Sequence, residues 1–211
     1  MKEDTYKGDP PEIAGVPVFP QVGFAQYPDK SPYPSVPTQE TRHEGTIREF
    51  CAELASGPTW AEFGVLFGVS ARYFLTHLPE DGTLYLFDSF EGLPEAWGDH
   101  HKGWFNIKAP GHPWKIPTFT DPRIIVKEGW FEDTLPIDAI FDFVHIDSDL
   151  YSSAKTILDR INVRPGTIIL FDELHGYKGW EGHEYKALME WDRDWKFIAR
   201  DEYTRAAIEI L

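Results

Sequence analysis

Phe141-Asp142-Phe143-Val144-His145-Ile146-Asp147-Ser148-Asp149-Leu150-Tyr151-Ser152-Ser153-Ala154-Lys155-Thr156-Ile157-Leu158-Asp159-Arg160-Ile161 is the stretch that decides the fold. Residues 141–146 make a near-continuous apolar run, as a parallel strand buried on both faces should. Acidic residues close that run at 147 and 149, and residues 151–161 follow as a helix. Residues 167–171 form a second apolar strand ending in Asp172-Glu173. Outward from this unit the alternation continues: residues 59–65 read as strand, 70–78 as helix, 83–87 as strand and 123–126 as strand. Such alternation predicts a parallel, doubly wound α/β sheet with helices on both faces. The end of the chain differs. Residues 195–200 and 205–210 are separated by only Asp201-Glu202-Tyr203-Thr204, which is hairpin spacing, so a seven-stranded Rossmann-like sheet closed by an antiparallel hairpin is expected.

Before the sheet, Thr46 with Glu49 three residues on is a capping box, and Ile47, Phe50, Cys51 and Leu54 follow at helical spacing until Gly57-Pro58 stops the run. Residues 1–37 hold eight of the 17 prolines and read as an extended arm, whose aromatic residues suit packing on its own domain or on another subunit. Residues 38–211 form the expected domain, with a Gly-, Pro- and Trp-rich insertion at about 95–122. Aromatic residues there, Trp97, Trp104, Phe105, Trp114 and Phe119, favour a lid.

Composition narrows the function. The 211 residues carry 20 Lys and Arg against 35 Asp and Glu, a net charge of −15, which repels phosphate backbones and anionic lipid. Neither nucleic acid nor membrane is expected as a partner. One cysteine, Cys51, excludes an intramolecular disulfide and a thiolate metal cluster, and it sits on the apolar helix stripe as a core residue. Met1-Lys2-Glu3-Asp4 runs into prolines rather than an apolar segment, and no window approaches 18 apolar residues. A cytoplasmic protein without signal peptide or membrane span is the expectation.

Open parallel sheets bind ligands at the carboxyl ends of their strands. The first strand ends in Glu62-Phe63-Gly64-Val65-Leu66-Phe67-Gly68-Val69-Ser70, where glycines allow close backbone approach and Ser70 can cap a helix; the run is not a G-x-G-x-x-G fingerprint. The second ends at Asp88, twenty residues beyond Gly68, a spacing that suits a carboxylate reading a ribose diol. Asp147, Asp149, Asp172 and Glu173 end two later strands, and crowded carboxylates call for a hard cation, Mg²⁺ foremost and Ca²⁺ or Mn²⁺ otherwise; Asp149 alternatively caps the helix at Tyr151.

These segments, with the loop Asp88-Ser89-Phe90-Glu91-Gly92-Leu93-Pro94 and the run Glu128-Gly129-Trp130-Phe131-Glu132-Asp133-Thr134-Leu135-Pro136, together resemble the class I S-adenosylmethionine-dependent methyltransferases. The likeness is greatest to the macrocin O-methyltransferase type, which modifies sugars on macrolides, and spans residues 45–210. The resemblance implies that Glu62 and Gly64 line the methionine part of S-adenosylmethionine and that Asp88 holds its ribose. It further implies that Gly129, Trp130 and Phe131 border the adenine, with Phe63, Ser70, Ser89 and Asp147 beside the cofactor. The family's three metal-holding acids map onto Asp147, Asp172 and Glu173, the last being Glu where the family has Asp. The expected reaction is methyl transfer to a hydroxyl of a small molecule, a sugar or natural product, assisted by Mg²⁺. Asp147, His145, His100 and His101 are the candidate catalytic groups; His145 inside an apolar strand also reads as a core residue, and the tandem His100-His101 as solvated. Two rival readings are a nicotinamide-dependent oxidoreductase, with Asp88 on the adenosine ribose, and a non-catalytic S-adenosylmethionine-binding protein. A homo-oligomer remains open.

Overall fold

The computed structural model describes Ile13, residues 15–20 and residues 46–211. The elements in chain order are β1 (Val18–Phe19), α1 (Ile47–Leu54), β2 (Thr59–Phe63), α2 (Val69–His77), β3 (Thr83–Asp88), β4 (Ile124–Glu128), α3 (Phe131–Thr134), β5 (Ile140–Ile146), α4 (Tyr151–Arg160), β6 (Asn162–Phe171), α5 (Glu184–Met189), β7 (Trp195–Asp201) and β8 (Ala206–Ile210). Among the described residues they build one eight-stranded sheet in the order β1-β7-β8-β6-β5-β2-β3-β4. Only β8 runs against its neighbours, pairing antiparallel with both β6 and β7. The parallel sheet and closing hairpin are therefore as read from the sequence. The added strand is β1, which pairs parallel with β7 at the sheet edge. It comes from the expected arm, most of which lies outside the described residues; Phe19 there packs on Phe50 of α1 with ring centroids 5.0 Å apart.

Strand alternation sorts the side chains into two cores. Ala61, Phe63, Phe141, Val144 and Ile146 face α3, α4 and α5, joined by Ile157, Leu158 and Leu188. Trp60, Leu84, Leu86 and Phe143 face α1 and α2, with Ile47, Cys51, Ala71 and Phe74 packed over them. Burying both sheet faces is what makes the strands read as apolar runs.

Two local departures have physical causes. Helix α1 is capped as expected, Thr46 Oγ1 accepting from the Glu49 amide, but its buried face holds Arg48 and Ala52 beside Ile47 and Cys51, while Leu54 is exposed. A charged side chain goes inward there because Asp172 awaits it. Strand β6 begins at Asn162, five residues before its apolar run, where Thr167 Oγ1 donates to Phe141 O and accepts from the Arg164 amide across an irregularity in the pairing with β5. The segment Asn162-Val163-Arg164-Pro165-Gly166 carried no strand signal because Pro165 and Gly166 read as a break. At the other end of the sheet, Asp201 Oδ1 accepts the backbone N–H groups of Tyr203, Thr204 and Arg205, each at 2.9 Å, and so shapes the β7–β8 turn.

Candidate functional site

The carboxyl ends of β2 to β6 open into one cleft of about 610 Å³, a size suited to a small organic ligand. Each strand contributes the residues that follow it. Gly64, Val65 and Leu66 come after β2, Asp88 and Ser89 from the end of β3, Gly129, Trp130 and Phe131 after β4, Asp147 to Asp149 after β5, and Asp172 and Glu173 after β6. The first turns of α4 add hydroxyls from Ser152, Ser153 and Thr156, and the insertion adds Glu95, Trp97 and Phe105. Seven of the lining side chains are carboxylates, and among the described residues none is lysine, arginine or histidine. A cationic or neutral ligand is favoured in such a field, and an anionic one is repelled.

The close packing of strand ends fixes the floor. The Asp147 amide donates to Phe63 O and the Gly64 amide to Phe87 O, at 2.9 and 3.0 Å. Gly64 has φ +88°, and a Cβ there would lie 1.8 Å from the Asp147 carbonyl oxygen. Only glycine fits. Leu66, Phe105 and Asp149, all on the cleft wall, likewise occupy left-handed backbone, a strain that concentrates at sites held rigid for function.

Asp88 organises the neighbouring loops. Its Oδ2 accepts the amides of Val65 and Leu66, both at 2.8 Å, and its Oδ1 accepts that of Phe90 at 2.7 Å. Of roughly four lone-pair positions on a carboxylate, three are thus occupied, which leaves room for one further donor rather than the two of a diol. Asp88 still lines the cleft.

Below the floor runs a buried polar chain that crosses β2, β5 and β6. Ser70 Oγ donates to Glu62 Oε1 in a short hydrogen bond, and the His145 ring bridges Glu62 Oε1 at 3.2 Å and Asp172 Oδ1 at 3.3 Å. Burial alone would lower the His145 pKa, but its hydrogen bonds to Asp172 and Glu62 outweigh that and raise it to about 9. An imidazolium with both N–H groups committed, fully shielded from solvent, takes up no proton from a substrate. His145, Glu62, Phe63 and Ser70 all lie outside the cleft lining: Glu62 and Phe63 are buried beneath it, Phe63 against Phe87 and Phe131. The resemblance placed Glu62, Phe63 and Ser70 beside the cofactor and left His145 as catalytic or core, whereas the pleat turns Glu62, Phe63 and His145 into the cores. His100 and His101 also stay outside the lining; His100 stacks on Trp104, and His101 Nδ1 donates to Lys102 O. The insertion itself is packed, with Trp114 on Phe67 and Arg72 over the Phe119 ring at 4.6 Å.

Asp172 has a role that was not foreseen. Arg48 of α1 makes a short ion pair with its Oδ1, and Arg205 reaches Oδ1 through Nε at 2.7 Å and Oδ2 through Nη2 at 3.1 Å. Burial would raise its pKa, yet Arg205 and Arg48 hold it well below the usual carboxylate range. The other acids behave oppositely. Burial and then the Asp172 charge raise Asp147 to about 7; burial and neighbouring carboxylates raise Asp149 and Glu173 well above their ordinary values. Carboxylate oxygens of Asp147, Asp149 and Glu173 lie within 4.8 Å of one another, and so do donor atoms of His145, Asp147 and Asp172. Glu184 of α5, fully buried, accepts from the Ser148 amide and hydroxyl at 3.0 Å each; burial raises it to about 8 despite these bonds. Glu184, Arg48 and Arg205 were missed as site residues and carried no sequence signal; Asp149, read as either a cation-holding acid or a helix cap, stands with the acids.

Residues 61–174, more than half of the chain, match a family model described as a methyltransferase domain. A curated relative from Streptomyces olivaceus, 8-demethyl-8-(2,3-dimethoxy-alpha-L-rhamnosyl)-tetracenomycin-C 4'-O-methyltransferase, is 26% identical over 165 residues, 62% of this chain and 63% of the relative. The chain thus spans less than two thirds of that protein's length. Two solved structures with a similar fold are the O-methyltransferase TomG from Streptomyces achromogenes with S-adenosylmethionine (17% identity, TM-score 0.47, 78% of each chain) and an O-methyltransferase from Bacillus cereus with S-adenosylhomocysteine (17% identity, TM-score 0.46, 77% of this chain and 78% of that one).

Proposed function

The chain belongs to the methyltransferase-domain family, and from that premise we propose that it transfers a methyl group from S-adenosylmethionine to a hydroxyl of a small molecule. One observation carries the reading: a cleft at the strand ends lined by seven carboxylates and no basic side chain among the described residues. A sulfonium cation meets acidic groups that can ionise against it, whereas the pyrophosphate of a nicotinamide dinucleotide finds no basic side chain among the described lining residues to pair with. The cofactor would lie along Gly64 to Leu66 and be bounded by Asp88, Ser89, Gly129, Trp130 and Phe131. Its sulfonium supplies an already activated methyl group, so the protein has only to align an acceptor oxygen and manage one proton. Without a bound cation, Asp147 on the cleft wall has a pKa raised to about 7 and is matched to accept a hydroxyl proton near neutral pH; with a cation bound it would be a ligand instead. Trp97 and Phe105 of the insertion and the hydroxyls of Ser152, Ser153 and Thr156 also line the cleft, an apolar and polar mixture suited to a sugar ring or a glycosylated natural product. The rhamnosyl-tetracenomycin named for the Streptomyces olivaceus relative is an acceptor of that class.

The crowded acids also fit a divalent cation. Their donors are all oxygen, and the buried Oε2 atoms of Glu173 and Glu184 receive no hydrogen bond. A bound cation would acidify the acceptor hydroxyl. A small, neutral acceptor, a cytoplasmic setting and Mg²⁺ as the natural ion complete the reading. The test is formation of S-adenosylhomocysteine from S-adenosylmethionine with neutral glycosides as acceptors. Acceptor-dependent turnover is expected; quenching or enhancement of NADH fluorescence by the protein, with no response to S-adenosylmethionine, would favour an oxidoreductase instead.

A further inference from the structure

Resting on that reading, we propose that the cation site of this chain is built by Asp147, Asp149 and Glu173, and that Arg48 and Arg205 withdraw Asp172 from it. The family's metal positions map onto Asp147, Asp172 and Glu173, so this is a different ligand set. Three observations carry it. Asp172 already receives Arg48, the Nε–Nη2 edge of the Arg205 guanidinium and His145, which neutralise its charge and occupy both oxygens. A divalent ion at Asp172 would have to sit beside two buried guanidinium groups, at a Coulombic cost that one further lone pair on Oδ2 does not offset. The same argument removes the second possible grouping, His145 with Asp147 and Asp172, because His145 has both ring nitrogens committed.

Asp147, Asp149 and Glu173 are in the opposite condition. Their carboxylate oxygens converge within 4.8 Å, and among the described residues no hydrogen bond or ion pair reaches the Asp149 side chain. Glu173 Oε2 is shut off from solvent without a donor, and so is Oε2 of the fully buried Glu184, whose other oxygen grips Ser148 between Asp147 and Asp149. Glu184 thereby holds the loop that presents both aspartates to the cleft. Asp149 is kept in left-handed backbone at φ +63°, which turns it away from the helix-capping role its position suggests. All-oxygen donors of this kind select Mg²⁺, Mn²⁺ or Ca²⁺.

The probe is Mn²⁺, followed by the electron paramagnetic resonance signal of the free ion as protein is added. The wild type is expected to bind one Mn²⁺. Asp149→Asn keeps a residue type tolerant of positive φ and should weaken binding at least about tenfold, as should Glu173→Gln. Asp172→Asn should retain Mn²⁺ affinity within about threefold. Should that variant fail to fold, Asp149→Asn decides alone. Undiminished binding by Asp149→Asn, or no Mn²⁺ bound by the wild type, overturns the proposal. Calorimetry with S-adenosylhomocysteine on the same samples separates the two levels. Nucleoside binding without Mn²⁺ binding removes the cation site and leaves the methyltransferase reading. Mn²⁺ binding sensitive to Asp149→Asn, in a protein that ignores S-adenosylhomocysteine, upholds the site and removes that reading.

Discussion

Asp88 has three backbone amides on its two oxygens, so its carboxylate shapes the loops around the cofactor cleft before it meets any ligand. Asp88→Asn puts an amide N–H against donor N–H groups on at least one oxygen and should lower S-adenosylhomocysteine affinity at least about tenfold in calorimetry, more than one lost hydrogen bond explains. Unchanged affinity would show that these loops hold their form without the charge. Glu184 gives a second prediction. Its pKa is raised to about 8 by burial, so between its ordinary value near 4.5 and 8 the folded state holds a proton that the unfolded state has released. Stability therefore falls as pH rises through that window, and His145, raised to about 9, adds a loss in the same direction above its ordinary 6.5. Glu184→Gln retains acceptors for Ser148 and should flatten the decline by at least about 1 kcal/mol between pH 5 and 9 in denaturant titrations without added metal. A slope equal to the wild type's would place the proton elsewhere. At this scale the sequence was legible where a cleft-lining residue follows a strand end directly, as with Asp147 and Gly129-Trp130-Phe131. It was illegible for Asp172, whose partners Arg48 and Arg205 lie 124 and 33 residues away and belong to no local pattern.

Among the elements, β2 and β5 set the site because their carboxyl ends nearly touch. The Cβ of Gly64→Ala would stand 1.8 Å from the Asp147 carbonyl oxygen and add the cost of φ +88° for an L-residue. The substitution should cost about 2 kcal/mol or more of stability and spread the cleft, weakening S-adenosylhomocysteine binding in parallel; a variant with wild-type melting and affinity would mean the strand ends can part freely. Apolar runs and capping chemistry revealed most elements, and α1 starts where Thr46 and Glu49 place it. The buried face of α1 was misjudged because periodicity assigns charges to solvent, whereas Arg48 turns inward to neutralise Asp172. Pleating had a similar consequence at Glu62 and His145. They stand opposite each other in the β2–β5 register, and both point to the helical layer beneath the cleft rather than into it.

For the whole molecule, the seven-strand plan of parallel strands and final hairpin was readable because each buried strand leaves a contiguous apolar run. The eighth strand, β1, has two residues and offered no such run. The sheet order concentrates acids from distant segments at one rim, and the resulting field ties together what the cleft admits and the pKa values of its walls. Aromatic and hydroxyl-bearing residues complete the lining of the cleft, where we propose methyl transfer onto an uncharged hydroxyl compound. The measurement that tests this most directly is isothermal titration calorimetry with S-adenosylhomocysteine, in Mg²⁺ and again in EDTA. Saturable one-to-one binding at micromolar concentration is expected in both, since the residues bounding the nucleoside are separate from the carboxylate cluster. The absence of binding heat in either condition, from protein that melts cooperatively, would contradict the assignment of this cleft to a methyl donor.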